Sequence, residues 1–146
     1  QLRCAQNLAM RFVDTNVLLY AVSEVPEESG KRARAREVLT EPDLAASVQV
    51  LQEFFHQATR PTRTRNLSAY SALQFLEPIL LFRVQTMTVR VFLEAVAICQ
   101  RFGLSYWDAA ILAAARVMGC DAVYSEDMST EQDYDGLTVI NPFTVP

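Results

Sequence analysis

Short apolar runs and longer stretches of helical period take turns along this chain. Residues 10–13 form an apolar run that stops at Asp14-Thr15-Asn16, and residues 44–46, 79–82, 122–124 and 137–140 are further brief apolar segments. Runs this short and this largely apolar predict strands buried in a sheet. Between them the spacing turns helical. Residues 17–21 predict a helical turn, residues 31–40 a helix closed by Pro42, and residues 47–59 a helix capped by Ser47 that buries Val50, Leu51, Phe54, Phe55 and Ala58. Residues 68–77 predict another helix before Pro78. Residues 88–101 carry apolar side chains at 89, 92, 93, 96 and 97 and end at Gly103, and residues 105–118 are helical up to Gly119.

Strands alternating with helices imply a parallel sheet covered on both faces, because a parallel crossover needs a helix to span it. The expected fold is a three-layer α/β/α domain with a central, mainly parallel sheet of about five strands. Its expected extent is residues 10–146, with residues 1–9 as an extension that shows no period. The chain has 146 residues, 51% of them apolar, which suits one folded domain. No apolar run approaches the ~18 residues that span a bilayer, and no leader segment is visible. Three widely spaced cysteines and a single histidine, His56, argue against a zinc site and for a reducing cytoplasm.

In an open α/β sheet, ligands bind along the edge formed by the carboxyl ends of the strands and the starts of the following helices. Four acids fall on that edge: Asp14 after the first strand, Glu53 two turns into the helix after the second, Asp108 in the first turn of the helix before the fourth, and Asp127 just after that strand. Taken singly, each has an ordinary use. Asp14 or Asn16 can cap a helix, Asp108 sits three residues after Ser105 in a capping-box arrangement, and Asp127 can close an Asx-turn. Taken together, four carboxylates at one edge repel each other unless a cation lies among them. Oxygen-only ligands select hard ions such as Mg²⁺ or Mn²⁺, and such ions serve phosphodiester hydrolysis.

The residues that carry these acids resemble a known family. Phe12-Val13-Asp14-Thr15-Asn16-Val17-Leu18-Leu19-Tyr20, Gln52-Glu53-Phe54-Phe55, Tyr106-Trp107-Asp108-Ala109-Ala110-Ile111, Tyr124-Ser125-Glu126-Asp127-Met128 and the closing 135–143 segment are similar to a PIN domain, and more narrowly to the VapC-type toxin ribonucleases of bacterial toxin–antitoxin pairs. The resemblance implies a PIN-like fold and a Mg²⁺- or Mn²⁺-dependent endoribonuclease. It also implies that Asp14, Glu53, Asp108 and Asp127 are catalytic and metal-holding, with Asn16 and Ser125 supporting them by hydrogen bonds. A cognate antitoxin protein and a homodimer follow from the same resemblance. The alternative is a non-catalytic PIN-like module that binds RNA or protein.

Charge adds a second expectation. The net charge is −4, yet twelve of the 13 bases are arginine, and six cluster as Arg32, Arg34, Arg36 and Arg60, Arg63, Arg65. Arginine suits bidentate phosphate contacts, so both clusters are candidates for RNA binding; the plainer reading is two solvated faces. Val38, Leu39, Val50, Leu51, Phe54 and Phe55 look like a surplus of apolar surface, available to an antitoxin helix or a dimer seam. His56 is expected to pack or cap rather than act as a base. Tyr106 and Trp107 can stack an RNA base, although at least one is expected in the core. Glu126 is expected to face solvent, and Asp133 and Asp135 to lie in a solvated loop. Two rival acidic-site families fail on single residues. A haloacid-dehalogenase-type phosphatase wants an Asp where Asn16 stands, and a response-regulator receiver wants a lysine near the acids, whereas the only lysine is Lys31.

Overall fold

The computed structural model describes residues 9–130 and 132–144, so the proposed extension lies almost wholly outside the described residues. Six strands form one sheet: β1 Arg11–Val13, β2 Leu44–Ser47, β3 Arg83–Gln85, β4 Ala122–Tyr124, β5 Asp133–Tyr134 and β6 Leu137–Ile140, in the order β3-β2-β1-β4-β6-β5. Every pairing is parallel except β5 with β6. The helices are α1 Thr15–Ala21, α2 Ser29–Val38, α3 Val48–Thr59, α4 Ala69–Leu76, α5 Val89–Phe102 and α6 Tyr106–Val117. β1 lies between β2 and β4, so the chain leaves β1 in one direction and returns beside it from the other. That reversal opens a crevice at the carboxyl ends of β1 and β4.

The central strands β1, β2 and β4 are buried on both faces. Phe12, Val13, Ala45, Ala46 and Val123 have at most 1% of their surface exposed. Helix α6 is buried over the whole run Ala109–Ala115. Its five alanines let its backbone approach α5, its main helical neighbour, and β2 closely. Helix starts are fixed by side chains. Ser47 accepts from the Val50 N–H, Ser68 from Ser71, Thr88 from Val91 and Ser105 from Asp108. Gly103 closes α5 in the left-handed region at φ 67°.

Several details differ from the sequence expectation. The run at 79–82 is a 3-10 turn, Ile79–Leu81, and the strand begins one residue beyond it. As an edge strand, β3 pairs only with β2 and mixes polar with apolar residues, while Leu81 stands 88% exposed in the turn before it. A sixth strand, β5, joins β6 through Asp135 at φ 58° and Gly136 at φ 90°. Two residues are too few to show a period. Asp135 is no free loop residue: it pairs with Arg101 at 2.7 Å and with Arg116 at 3.8 Å.

The faces of two helices also need correction. Helix α5 buries Val91, Ala95 and Ile98 rather than the apolar positions at 89, 92 and 93, which face out. Both stripes are apolar, and only packing against α6 decides between them. Among the six residues read as surplus on α2 and α3, Val38, Val50 and Phe54 are fully buried, Leu39 and Leu51 pack against the core, and Phe55 is 37% exposed. The uncovered apolar surface lies elsewhere.

The corrected face of α5 has a direct consequence. Ile98→Ala should cost about 2–5 kcal/mol in urea unfolding. Ala97→Gln, on the outward stripe, should stay within about 0.5 kcal/mol. The reverse order would restore the face read from the sequence.

Candidate functional site

The crevice between β1 and β4 receives all four acids. Asp14 ends β1 and caps α1, accepting from the Thr15 N–H at 2.7 Å. Glu53 comes from α3, Asp108 from the first turn of α6, and Asp127 from the loop after β4. Together they line a cavity of about 170 Å³ with Leu19 and Trp107 on its wall, and no basic side chain lines it. The four acids arrive from four separated segments, because parallel strands bring their carboxyl ends, and the helices that follow, to one edge.

Hydrogen-bond donors hold the carboxylates in place. Ser125 Oγ, fully buried, donates to Asp14 Oδ2 at 2.8 Å. Asn16 Nδ2 lies 3.1 Å from Asp127 Oδ2, 3.3 Å from Ser125 Oγ and 3.4 Å from Asp14 Oδ2, so one amide spans two acids. Asn16 Oδ1 accepts from the Glu126 N–H at 3.3 Å, which ties α1 to the loop after β4.

Two further donors were not singled out from the sequence. Thr15 Oγ1 donates to Glu53 Oε2 and Gln49 Nε2 donates to Glu53 Oε1, both at 2.8 Å. Gln49 also donates to the Trp107 carbonyl at 3.2 Å, coupling α3 to the start of α6. Gln49 lies four residues before Glu53, the spacing that stacks helical side chains, and that was the available signal.

The electrostatics follow from burial and crowding. Asp14 is only 6% exposed. Desolvation pushes its carboxyl up to about 6, against the pull of hydrogen bonds from Ser125 and Thr15, with Glu53 and Asp127 adding repulsion. Asp108 is also raised, by desolvation first and then by Asp127 and Glu53, while Ser105 opposes the shift. Among the described residues, no three Asp, Glu, His or Cys side chains form a ready-made metal cage.

Beside the cavity, Glu126 is not solvent-facing. It accepts from Tyr20 Oη at 2.6 Å and from Lys31 Nζ at 2.7 Å. Burial raises Glu126, but these two donors outweigh it and leave the carboxyl below its ordinary value. The only lysine therefore does reach the acidic edge. A receiver reading fails on topology instead, since β1 here lies between β2 and β4. His56 is exposed on α3 and does not line the cavity. Tyr106 is half-buried against Phe92, whereas Trp107 stands 62% exposed at the rim.

The arginines divide in two. Arg34 donates to the Pro142 carbonyl and pairs with Glu37, and Arg36 donates to the Ala21 carbonyl. Arg65 donates to the Glu24 carbonyl. The side chains of Arg32, Arg60 and Arg63 have no hydrogen-bond or ion-pair partner among the described residues.

Comparison with known proteins agrees with this architecture. A family model described as PIN domain matches residues 11–131. A toxin–antitoxin complex from Klebsiella pneumoniae contains a similar chain, at TM-score 0.67 and 22% identity over 92% of this chain and 99% of that one. VapC20 of Mycobacterium tuberculosis, described as a sarcin-ricin loop cleaving toxin, superposes at TM-score 0.62 and 22% identity over 80% of this chain and 89% of its own. A DNA-bound VapBC chain from Salmonella typhimurium matches at TM-score 0.64 and 16% identity, covering 92% and 99%. No curated protein sequence matches the chain.

The burial of Asp14 sets the sign of a pH effect. Its raised pKa means that the folded chain holds the proton more tightly than the unfolded chain, whose carboxyl titrates near 3.8. Stability is therefore lost as pH rises from about 4 through about 6, and the full penalty stands above that window. Asp14→Asn should raise stability at pH 8, without divalent ions, by about 1–3 kcal/mol. The gain should shrink towards nothing near pH 4 when the two chains are melted in parallel. A gain that does not change with pH would mean that Asp14 carries no such penalty.

Proposed function

Because the chain belongs to the PIN-domain family, matched over residues 11–131, we propose that it is a metal-dependent endoribonuclease acting as the toxin of a toxin–antitoxin pair. One observation carries the reading: four carboxylates from four separate segments ring one cavity with no basic side chain in its lining, and burial pushes the deepest of them up to about 6. An arrangement that costs stability this way, with oxygen donors only, suits Mg²⁺ or Mn²⁺.

Asp14, Asp108 and Asp127 would hold the ion, with Glu53 completing the shell directly or through water. When bound, the ion supplies polarisation of the phosphate and an activated water for its hydrolysis. The chain's own residues do the rest. Asn16 and Ser125 keep Asp14 and Asp127 oriented, and Thr15 with Gln49 fixes both oxygens of Glu53. The exposed indole of Trp107 offers a platform for an RNA base. Arg32, Arg34, Arg36, Arg60, Arg63 and Arg65 are the reserve of positive charge for phosphates.

The partner reading rests on the kind of protein the chain resembles. Similar folds occur in toxin–antitoxin complexes. A cognate antitoxin that sends an arginine towards Asp14 and Asp108 would pair with the carboxylates and exclude the cation. A second copy of the chain is the other partner. Among the described residues, eight of the ten exposed large hydrophobic side chains lie between positions 70 and 93, on α4, the 3-10 turn, the loop before α5 and α5 itself, where Leu81 and Val89 stand most open. Exposed apolar side chains in such number support an interface there. Among the described residues no helix is long and apolar enough to cross a membrane, and a cytoplasmic place of action fits an RNA substrate.

Purified chain should cut RNA with Mg²⁺ or Mn²⁺ and stop when the ion is chelated. Asp108→Asn and Asp127→Asn should each lower kcat by about two orders of magnitude or more while remaining folded. RNA binding without cleavage under every divalent ion would leave the non-catalytic module as the better reading. Light scattering at micromolar concentration should give the mass of two chains, and Leu81→Asp with Phe92→Asp should give one. A monomeric parent chain would remove the homodimer.

A further inference from the structure

The acidic cavity is not isolated. Asn16 and Leu19 line it and also line a second cleft with Tyr20, Glu28 and Arg63. Glu28 and Arg63 in turn line a third cleft of about 300 Å³ beneath the loop between α3 and α4. The three depressions therefore form one continuous path from the carboxylates, over a saddle at Leu19 and Tyr20, to the arginine loop.

Charge gives this path a direction. A phosphodiester strand entering the acidic cavity meets four carboxylates and no basic wall. An ion at the centre offsets the repulsion of one phosphate, and the next phosphates need cations of their own. Most nearby cations are already engaged. Lys31 is held by Glu126 at 2.7 Å, Arg34 and Arg36 serve the Pro142 and Ala21 carbonyls, and Arg65 is bound to Glu24. Arg60 and Arg63 line the path and have no side-chain partner among the described residues.

The loop that presents them is held in shape. The Arg63 N–H donates to the Arg60 carbonyl at 3.1 Å, the Leu67 N–H donates to the Ala58 carbonyl at 2.8 Å, and Arg65 sits in the left-handed region at φ 54° with its guanidinium on the Glu24 carbonyl at 3.0 Å. The acids on the path are outnumbered rather than absent: Glu24 is paired with Arg65 at 3.9 Å, and Glu28, which keeps its charge and accepts from Ser23 Oγ at 3.3 Å, stands against the guanidiniums of both Arg60 and Arg63. Thr62 and Thr64 add hydroxyl donors to the third cleft. Guanidinium and hydroxyl groups together are the usual donors to phosphate oxygens.

We propose that this path is the track for single-stranded RNA on one side of the scissile phosphate, with Arg63 and Arg60 as its phosphate clamp. The inference rests on the nuclease reading and gives it a substrate geometry: one flank of the strand crosses the Leu19–Tyr20 saddle. A free strand fits better than a duplex, because the three clefts are small, about 170, 190 and 300 Å³. An acidic protein segment is the competing occupant.

The test reads binding, so that it stands apart from hydrolysis. In an Asp14→Asn background, a fluorescent mixed-sequence RNA oligonucleotide is titrated by anisotropy at several salt concentrations. Adding Arg60→Gln with Arg63→Gln should weaken binding about tenfold or more and lower the salt slope by about 1.4, the value for two single-strand phosphate contacts. Arg60→Lys with Arg63→Lys should keep most of the slope. Arg83→Gln with Arg90→Gln, the same loss of two charges from exposed positions on β3 and α5, should alter the slope far less. A competing dinucleotide, too short to leave the carboxylate cavity, should bind the clamp-free and clamp-bearing chains equally. Affinity and slope unchanged by the double substitution would overturn the track and leave the cleft to a protein partner. If the parent chain cleaves no RNA yet these shifts occur, the hydrolytic reading falls and the track stands.

Discussion

Mutual repulsion among four carboxylates is the constraint around which this molecule is arranged. The parallel sheet brings Asp14, Glu53, Asp108 and Asp127 to one edge, and burial denies Asp14 the water that would screen it. Three of the four crowded acids are met by donors: Ser125 and the Thr15 N–H at Asp14, Asn16 at Asp127, Thr15 and Gln49 at Glu53. These bonds fix orientation without neutralising charge. What remains is an electrostatic demand that no side chain lining the cavity meets, and that the proposed cation would meet.

The scaffold is built to keep that demand from loosening the fold. The loop bearing Asp127 is clamped from both sides, by Asn16 through the Glu126 N–H and by Tyr20 and Lys31 on the Glu126 carboxylate. Lys31 also lies 4.8 Å from the centre of the Tyr20 ring, and that ring packs edge-on against Phe143 at 4.8 Å. The one lysine of the chain thus stabilises the site's border instead of entering the site. Gln49 performs the corresponding task on the opposite side, joining Glu53 to the start of α6.

Much of this was legible in the sequence because the strongest signals were local. Short, largely apolar runs marked β1, β2, β4 and β6, and Ser47, Thr88 and Ser105 stood where helices had to begin. The convergence of the four acids followed from topology, since strands of a parallel sheet end on one side. What escaped was decided by tertiary contact. The inward face of α5 depends on α6, since both of its stripes are apolar. The edge position of β3 displaced its strand past the leucines at 80 and 81. The division of the arginines into engaged and free ones depends on carbonyls up to about a hundred residues away, such as that of Pro142 for Arg34. Glu126 looked like a surface acid because its partners, Tyr20 and Lys31, are remote in sequence.

Calorimetric titration of the purified chain with Mn²⁺ at pH 6, repeated in two buffers of different ionisation heat, tests the cation site most directly. If the crowded carboxylates form that site, Mn²⁺ binds and displaces part of the proton that Asp14 holds with its pKa near 6. The apparent heat should then differ between buffers, and Asp14→Asn should abolish the difference together with most of the affinity. Absence of binding, or binding with the same affinity in Asp14→Asn, would contradict the assignment of these carboxylates to a cation.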